Sequence, residues 1–278
     1  MRSLFIVLFL FGLSCRTTET KSVATPVIQK EEFAINDTFQ ALLDSAGVKG
    51  SILILSDGTY HSNNFEWSKI GRLPASTFKI PNSIIALETG VMIDDSVKIL
   101  WDGEPRYQKR WEQDLSFINA FHYSCVPCYQ QIAREIGTGR MNNYLDKFGY
   151  GTMVFDSTTL DNFWLEGDSK ISQFEQINFL KTLNEQRLPI SANTYTIIQR
   201  MMVISEFEGA ILRGKTGWSF QNNIDNCWYV GYVEMNNDFY YFATNIEPTE
   251  TSKISDLKTV RKTVTHLALE SLGVIHLD

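Results

Sequence analysis

The segment PASTFKIPNSIIALETG, residues Pro74 to Gly90, decides how this chain folds and where its chemistry lies. Its later residues carry apolar side chains at helical spacing and stop at a glycine, which predicts an amphipathic helix. Ser76 opens this helix, Lys79 follows three positions later, and Pro81 lies within the first turns. A charged lysine on a buried helix face is costly, so its presence there needs a chemical reason.

Ser76 and Lys79 share one face of the predicted helix because of their spacing. A serine hydroxyl becomes a strong nucleophile when a base removes its proton, and a lysine amine can be that base only when it is neutral. Burial lowers a lysine pKa and therefore favours the neutral amine. The alternative interpretation is a capping serine next to a lysine whose ammonium group reaches solvent.

The start of this helix has a second use. The backbone N–H of Ser76 lies among the unpaired donors of the first turn, where developing negative charge is stabilised. Pro81 has no N–H to donate to the preceding turn, so we expect that turn to be irregular or 3₁₀-like.

The composition restricts the possible functions. The chain has 278 residues, of which 44% are hydrophobic, so it can bury a sizeable core. Its 25 Lys and Arg against 32 Asp and Glu give a net charge of -7, which argues against a nucleic-acid binder. We therefore expect small-molecule partners and local basic sites for an anionic ligand.

The first fifteen residues, MRSLFIVLFLFGLSC, predict an export signal. Their apolar run is too short to anchor stably in a bilayer. The small residues before Cys15 resemble a bacterial lipoprotein box, so lipid attachment at Cys15 and ordinary signal cleavage both remain open. Residues 16–32 are polar and aperiodic, which predicts a flexible leader. We therefore expect an exported, periplasmic protein with a single folded domain at residues 33–278.

Helix and strand patterns alternate along the chain in three blocks. Residues 50–67 contain an apolar run, an Asp-Gly turn and a second extended segment, which predicts a hairpin. From Pro74 to about Met202 the patterns are helical, and three of the predicted helices end at glycines: Gly90, Gly137 and Gly149.

Strand patterns return near the end, in AILRGKTGWS, CWYVGYVEM and FYYFATNIE, the last two joined by a tight polar turn. The segment SDLKTVRKTVTHLALESLG then predicts a closing amphipathic helix. We therefore predict an α+β fold, in which N- and C-terminal strands form one antiparallel sheet with flanking helices and an inserted all-helical lobe. A cleft should separate the two lobes.

Cys125 and Cys128 form a C-x-x-C motif whose role is open from the sequence. An exported protein could use a disulfide, the motif occurs in thioredoxin-like redox sites, and His122 with Cys227 could complete a zinc site. A redox motif should follow a strand in a βαβ unit, whereas this one leads directly into a helical pattern. We therefore interpret Cys125 and Cys128 as small core residues and expect no metal site.

Three further motifs follow in order: YSCV with Ser124 and Val126, YGT at Tyr150 to Thr152, and GKTGWS with Lys215, Thr216 and Gly217. S-x-x-K, a second serine motif and K-T-G occur together in serine β-lactamases and penicillin-binding proteins. With PASTFKIPN, PCYQQIAREIG, FWLEG and WYVGYVE in the same order, the chain resembles a class D serine β-lactamase of the oxacillinase type over roughly residues 33 to 275. The family has Tyr-Gly-Asn where this chain has Tyr-Gly-Thr, so we expect Thr152 to be structural.

The resemblance implies a chemical role for each matching residue. Ser76 attacks the lactam carbonyl, and Lys79, carbamylated by CO₂ or bicarbonate without any other cofactor, is the general base. Val126 matches the family's lid over the carbamate, and Trp164 matches the residue that donates a hydrogen bond to it. The oxyanion lies between the backbone N–H groups of Ser76 and Trp218.

The remaining motif residues complete the implied site. Ser124 passes a proton to the departing lactam nitrogen, and Lys215 acts on it electrostatically. Thr216 helps to hold the substrate carboxylate, Gly217 is a substrate-binding residue, and Arg261 binds the carboxylate. The competing interpretations are a solvated helix face for Arg261 and ordinary core packing for Trp164, while a buried structural role is preferred for Tyr150.

Other functional classes compete with a lactamase. A penicillin-binding sensor would share the Ser76–Lys79 pair but keep the acyl group, and would ordinarily be attached to membrane helices. A cell-wall peptidase or transpeptidase would not need FWLEG, the segment expected to protect a carbamate. A non-catalytic binding module would need none of these motifs.

Overall fold

The structure is a computed structural model, and it describes residues 31–207, 209–250 and 252–275. The predicted export signal, Cys15 and residues 16–30 of the predicted leader lie outside the described residues. The first strand begins at Glu32. In the described ranges, no helix is long and apolar enough to cross a membrane.

One large sheet carries the fold. The strands are β1 (Glu32–Ile35), β2 (Val48–Ser56), β3 (Thr59–Ser62), β4 (Lys98–Ile99), β5 (Leu115–Ser116), β6 (Val203–Phe207), β7 (Ala210–Gln221), β8 (Ile224–Met235) and β9 (Asp238–Pro248). Seven of them form a sheet in the order β1-β3-β2-β9-β8-β7-β6, and β4 pairs with β5. Strands from both ends of the chain therefore meet through β2 and β9, as predicted. The pairing is antiparallel except between β1 and β3, which run parallel.

Helices cover both faces of this sheet. They are α1 (Asp37–Ser45), α2 (Phe65–Lys69), α3 (Lys79–Glu88), α4 (Phe117–His122), α5 (Val126–Ile136), α6 (Thr138–Phe148), α7 (Gln173–Asn184), α8 (Ala192–Met201) and α9 (Leu257–Ser271). On one face α1 and α9 enclose an apolar cluster that includes Phe39 and Leu269. The other face meets α7 and the inserted helices α3 to α6 and α8 over a larger cluster. The predicted α+β arrangement with a helical insertion is confirmed.

The local differences from the predicted pattern have simple causes. The second arm of the predicted hairpin is shorter than expected, because the Asn64 side chain caps α2 by accepting from the N–H of Trp67. Strand β6 was not predicted. It is an edge strand whose side chains are mostly exposed, so its sequence lacks the alternation of apolar and polar residues that indicates a strand. The tight turn between β8 and β9 is formed by Asn236 and Asn237, both at positive φ, as a two-residue hairpin turn requires.

Candidate active site

The Ser76 segment begins with a tight turn before α3. Residues Ala75–Phe78 are a 3₁₀ helix, which confirms the irregular first turn that Pro81 predicts. Ala75 has a φ of 51° and donates its N–H to the carbonyl oxygen of Trp164 at 2.8 Å. Thr77 closes the turn by donating its hydroxyl to the Pro74 carbonyl at 2.6 Å. The turn is therefore fixed from both sides, and 7% of Ser76 remains exposed.

Lys79 lies directly behind the serine. Its Nζ donates to Ser76 Oγ at 3.1 Å, and the side chain is only 1% exposed. Nζ also lies 4.8 Å from the centre of the Tyr129 ring. Burial lowers the pKa of Lys79 to about 7, so a large fraction of this amine is neutral at neutral pH.

Trp164 packs against the segment that carries Ser76 and Lys79. Its indole stacks on Phe78 with ring centres 5.3 Å apart, and the residue is fully buried. Its Nε1–H has no hydrogen-bond partner among the described residues, and neither polar atom of the Asn82 side chain has one. Asn82 is fully buried and lies one helical turn after Lys79. Buried polar groups are rarely left unpaired, so Trp164 and Asn82 each have unused hydrogen-bonding capacity.

Ser124 faces the serine segment from the loop between α4 and α5. Its φ of 54° places a non-glycine residue in the left-handed region, and its N–H donates to the Phe121 carbonyl at 3.1 Å. Lys215 Nζ donates to Ser124 Oγ and to the Thr216 carbonyl, each at 3.0 Å. Burial, followed by the positive charges of Lys79 and Arg261, holds the pKa of Lys215 well below its usual range.

The two cysteines next to Ser124 form a disulfide, so their interpretation as separate small core residues was wrong. Helix α5 begins between them and brings Cys125 and Cys128 together within one turn. They are nonetheless buried. The zinc alternative also fails, because these thiols are bonded to each other, Cys227 is a buried free thiol, and His122 Nε2 contacts the Met201 carbonyl at 2.8 Å.

Strand β7 forms the opposite wall of the cleft. Its pairing with β6 reaches only to Arg213, so the edge of the following K-T-G segment faces the serine turn. A Cβ added to Gly217 would lie 3.0 Å from the Pro74 carbonyl oxygen and 3.2 Å from Ala75 Cβ. A side chain at this position would crowd the turn, whereas glycine allows the close approach that brings the backbone of Trp218 beside the turn that carries Ser76.

Arg261 reaches the same wall from α9. Its Nη1 donates to the Gly217 carbonyl, and the residue is 7% exposed, so a solvated helix face was the wrong interpretation of its position. Burial lowers the pKa of Arg261 to about 10, and the guanidinium stays charged at neutral pH. Its Nε is buried without a partner among the described residues.

Two other parts of the predicted site lie deeper. Tyr150 is buried and donates to Gln176 Oε1 at 3.4 Å, and burial raises its pKa. Thr152 pairs through its backbone with Lys170, donating at 2.8 Å and accepting at 2.7 Å. Both contacts support the preferred structural interpretation of the Tyr-Gly-Thr motif.

The sequence interpretation missed Tyr129, whose ring lies beside Lys79, and the buried, unpartnered Asn82 one helical turn further along α3. Tyr129 shares a hydrogen bond of 2.6 Å with Ser83 and turns its ring toward the lysine. Helical spacing predicts that such residues are buried. Helical spacing does not indicate that α5 brings the ring of Tyr129 to Lys79 on α3.

Known proteins share this arrangement over most of the chain. The family profile described as the penicillin binding protein transpeptidase domain matches residues 48–266. β-Lactamase OXA-10 of Pseudomonas aeruginosa is 41% identical over 206 residues, which cover 73% of this chain and 76% of that protein. The solved structure of a class D β-lactamase from Sebaldella termitidis superposes with a TM-score of 0.84 at 36% identity, covering 89% of this chain and all of that one.

A sensor protein is a more distant relative. The regulatory protein BlaR1 of Bacillus licheniformis is 27% identical over 250 residues, which are 87% of this chain but 41% of that protein. The β-lactamases match this chain at higher identity than BlaR1 does, and the matched region covers most of both proteins. This chain therefore belongs to the class D serine β-lactamases, within the superfamily that they share with the penicillin-binding proteins.

Proposed function

We propose that this protein hydrolyses the amide bond of β-lactam antibiotics, oxacillin-like penicillins among them, through an acyl ester on Ser76, and so confers resistance. The observation that carries the proposal is the contact of 3.1 Å between Ser76 Oγ and the buried amine of Lys79, whose pKa is about 7. The pair supplies a nucleophile and a nearby group that can exist without a proton at neutral pH.

In acylation, Ser76 Oγ attacks the lactam carbonyl, and negative charge develops on the carbonyl oxygen. The N–H of Ser76 at the helix start and the N–H of Trp218 are the donors we assign to that oxygen. The close approach of Gly217 to the serine turn supports this assignment, because it holds the two backbone segments together. Such donors contribute most when they are already in place before the reaction.

We assign the general base to Lys79 carrying a carbamate formed with CO₂. A carbamate supplies an anionic oxygen that can accept the Ser76 proton and later activate the hydrolytic water. The residues fit it: CO₂ needs a neutral amine, and the unpartnered Trp164 Nε1–H is a donor for a carbamate oxygen. Val126, half-buried at the start of α5, is the side chain we assign to cover this pocket.

Ser124 is assigned to proton delivery to the lactam nitrogen. Its hydroxyl accepts from Lys215 Nζ at 3.0 Å, so the lysine orients it and favours release of its proton. Part of the lowered pKa of Lys215 comes from the positive charge of Lys79. A carbamate would reverse that charge and raise the pKa of Lys215, which keeps the ammonium protonated during the reaction.

Arg261, Thr216 and Gly217 are assigned to the substrate and its carboxylate. The buried guanidinium of Arg261 is a fixed positive charge beside the β7 wall, although the whole chain carries a net charge of -7. A charged donor in a fixed position binds a carboxylate more strongly than a mobile surface residue does.

We also propose that residues 1–15 direct export to the bacterial periplasm, that the leader after them ends before strand β1 at Glu32, and that the chain from β1 onward forms one catalytic domain. The short apolar run and the small residues before Cys15 support export. The mass of the mature chain distinguishes lipid attachment at Cys15, which adds the mass of the acyl chains, from ordinary cleavage.

The decisive experiment is turnover of a chromogenic cephalosporin and of oxacillin, each with and without added bicarbonate. We expect multiple turnovers that bicarbonate accelerates, and no turnover in Ser76→Ala. Stable acylation of Ser76 without turnover would instead favour the sensor function, for which the similarity to BlaR1 is the supporting observation.

A further inference from the structure

We propose that the Cys125–Cys128 disulfide is a positioning element of the active site, which holds Ser124 and Val126 in their reactive arrangement. The inference rests on the proposed function, because it concerns the two residues assigned to proton delivery and to covering Lys79. Both residues are attached to the disulfide loop: Ser124 directly precedes Cys125, and Val126 lies inside the loop.

The backbone of Ser124 needs such a restraint. At a φ of 54° the residue is in a region that non-glycine residues rarely adopt, and it persists there only where surrounding contacts fix it. On the α4 side the N–H groups of Ser124 and Cys125 donate to the carbonyls of Phe121 and Ala120 at 3.1 and 2.9 Å. On the α5 side the covalent loop supplies the restraint.

The disulfide also organises the first turn of α5. Cys125 is the N-cap residue, and its sulfur accepts from the N–H of Cys128 at 3.3 Å. Val126 and Pro127 lie between the two bonded cysteines. The loop therefore fixes the direction in which the Val126 side chain leaves the helix, next to the pocket assigned to the carbamate.

General stabilisation is a weak reason for this bond. A disulfide stabilises a protein by reducing the entropy of its unfolded chain, and this effect grows with the logarithm of the length of the closed loop. The two cysteines of this loop are only three positions apart. A bond with little effect on the unfolded state can still fix local geometry. Displacement of a catalytic group by about 1 Å can cost about 100-fold in rate.

The bond is buried, with Cys125 at 0% and Cys128 at 9% exposure, but it borders a cavity that a small reductant can enter. Cys125 and Cys128 line a cavity of about 270 Å³ together with Trp101, Arg106 and Arg134. Dithiothreitol can therefore serve as the probe: it is oxidised to its cyclic disulfide while the two cysteines become thiols. Among the described cysteines Cys227 is the other thiol, and it is buried.

The test compares the mature protein before and after reduction, and the double variant Cys125→Ala with Cys128→Ala. We expect reduction and the double variant each to lower the rate of Ser76 acylation by a fluorescent penicillin at least 10-fold. We also expect hydrolysis to become more dependent on bicarbonate, and reoxidation to restore the wild-type values. Reductant should leave the double variant unchanged, whereas Cys227→Ala should respond as the wild type does.

A purely structural disulfide gives a different result. If reduction lowers the melting temperature but leaves the acylation rate and the bicarbonate response of the folded protein unchanged, the positioning role is wrong. The acylation measurement needs no turnover, so it judges this inference even if the protein proves to be a sensor. Failure of the oxidised wild type to hydrolyse any β-lactam would count against the proposed function alone.

Discussion

Two buried lysines line the same cleft in different surroundings. Lys215 donates to two oxygens, Ser124 Oγ and the Thr216 carbonyl, each at 3.0 Å. Lys79 donates to Ser76 Oγ at 3.1 Å and, within the described residues, to no second oxygen. A buried ammonium needs several acceptors to offset its lost hydration, whereas a neutral amine needs fewer. The two acceptors suit the Lys215 pocket to a cation once Lys79 no longer carries the positive charge that helps to lower the pKa of Lys215, whereas the Lys79 pocket suits a neutral amine.

The segment that carries Lys79 also packs against an unused neutral donor. Trp164 stacks on Phe78, which directly precedes Lys79, and its buried Nε1–H has no partner among the described residues. A donor beside an amine becomes useful once the lysine carries an acceptor, as it does in a carbamate. The surroundings of Lys79 and Lys215 therefore indicate different roles in the reaction. Each of the following variants tests this difference.

Lys79→Ala should have the largest effect. Without the base, we expect slow acylation and blocked deacylation, with kcat reduced about 10,000-fold and an acyl-enzyme that accumulates on Ser76. Mass spectrometry after mixing with a penicillin measures the adduct, and circular dichroism checks the fold. Hydrolysis at the wild-type rate would refute the base assignment.

Lys215→Ala should lower kcat/KM by about 1,000-fold, because the charge that orients Ser124 is lost. Since Lys215 forms no carbamate in our proposal, added bicarbonate should not restore the activity. The exposed Lys69→Ala on α2 is a matched control, and we expect wild-type kinetics from it. Restoration of the Lys215 variant by bicarbonate would mean that the two lysines have been assigned the wrong way round.

Trp164→Phe should lower kcat by about 100-fold at ambient CO₂ and recover much of that loss in excess bicarbonate. Phenylalanine keeps an aromatic ring that can pack on Phe78 but removes the Nε1–H. The carbamate would then lose a hydrogen bond and dissociate more readily. An unchanged bicarbonate response would remove Trp164 from the mechanism and leave it a packing residue.

The sequence predicted the fold to the extent that local signals carry it. Glycine stops and the tight turn before β9 are local signals, and the structure confirms them. Strand β6 escaped prediction because an exposed edge strand has no buried alternate face. The antiparallel order through β2 and β9 followed from strands at both ends of the chain.

The site was predictable where its residues lie in motifs. The spacing of Ser76 and Lys79 sufficed to place them together, whereas the contacts of Lys79 with Tyr129 and of Arg261 with the Gly217 carbonyl join distant segments. Such contacts depend on how helices pack, which no single segment encodes. The disulfide was missed for a related reason, since the motif allowed several chemistries and only the tight first turn of α5 selects one.

The pH dependence separates the two lysines with the smallest expected effect. Because the pKa of Lys79 is about 7, its neutral fraction falls about tenfold between pH 8 and pH 6, and only the neutral amine takes up CO₂. At low bicarbonate kcat should therefore fall about tenfold over this range, and added bicarbonate should oppose the fall by mass action.

Lys215 should respond in the opposite sense. Its pKa is lowered partly by the charge of Lys79, so loss of that charge as the pH rises favours protonation of Lys215. In Lys215→Ala, kcat should therefore still fall toward pH 6, because this fall comes from protonation of Lys79. Carbon-13 NMR with labelled bicarbonate measures the carbamate directly, and its signal should decline in parallel with kcat toward pH 6. If the carbamate signal stays constant while kcat falls toward pH 6, a group other than Lys79 causes the fall. The proposed difference between the Lys79 and Lys215 pockets would then be wrong.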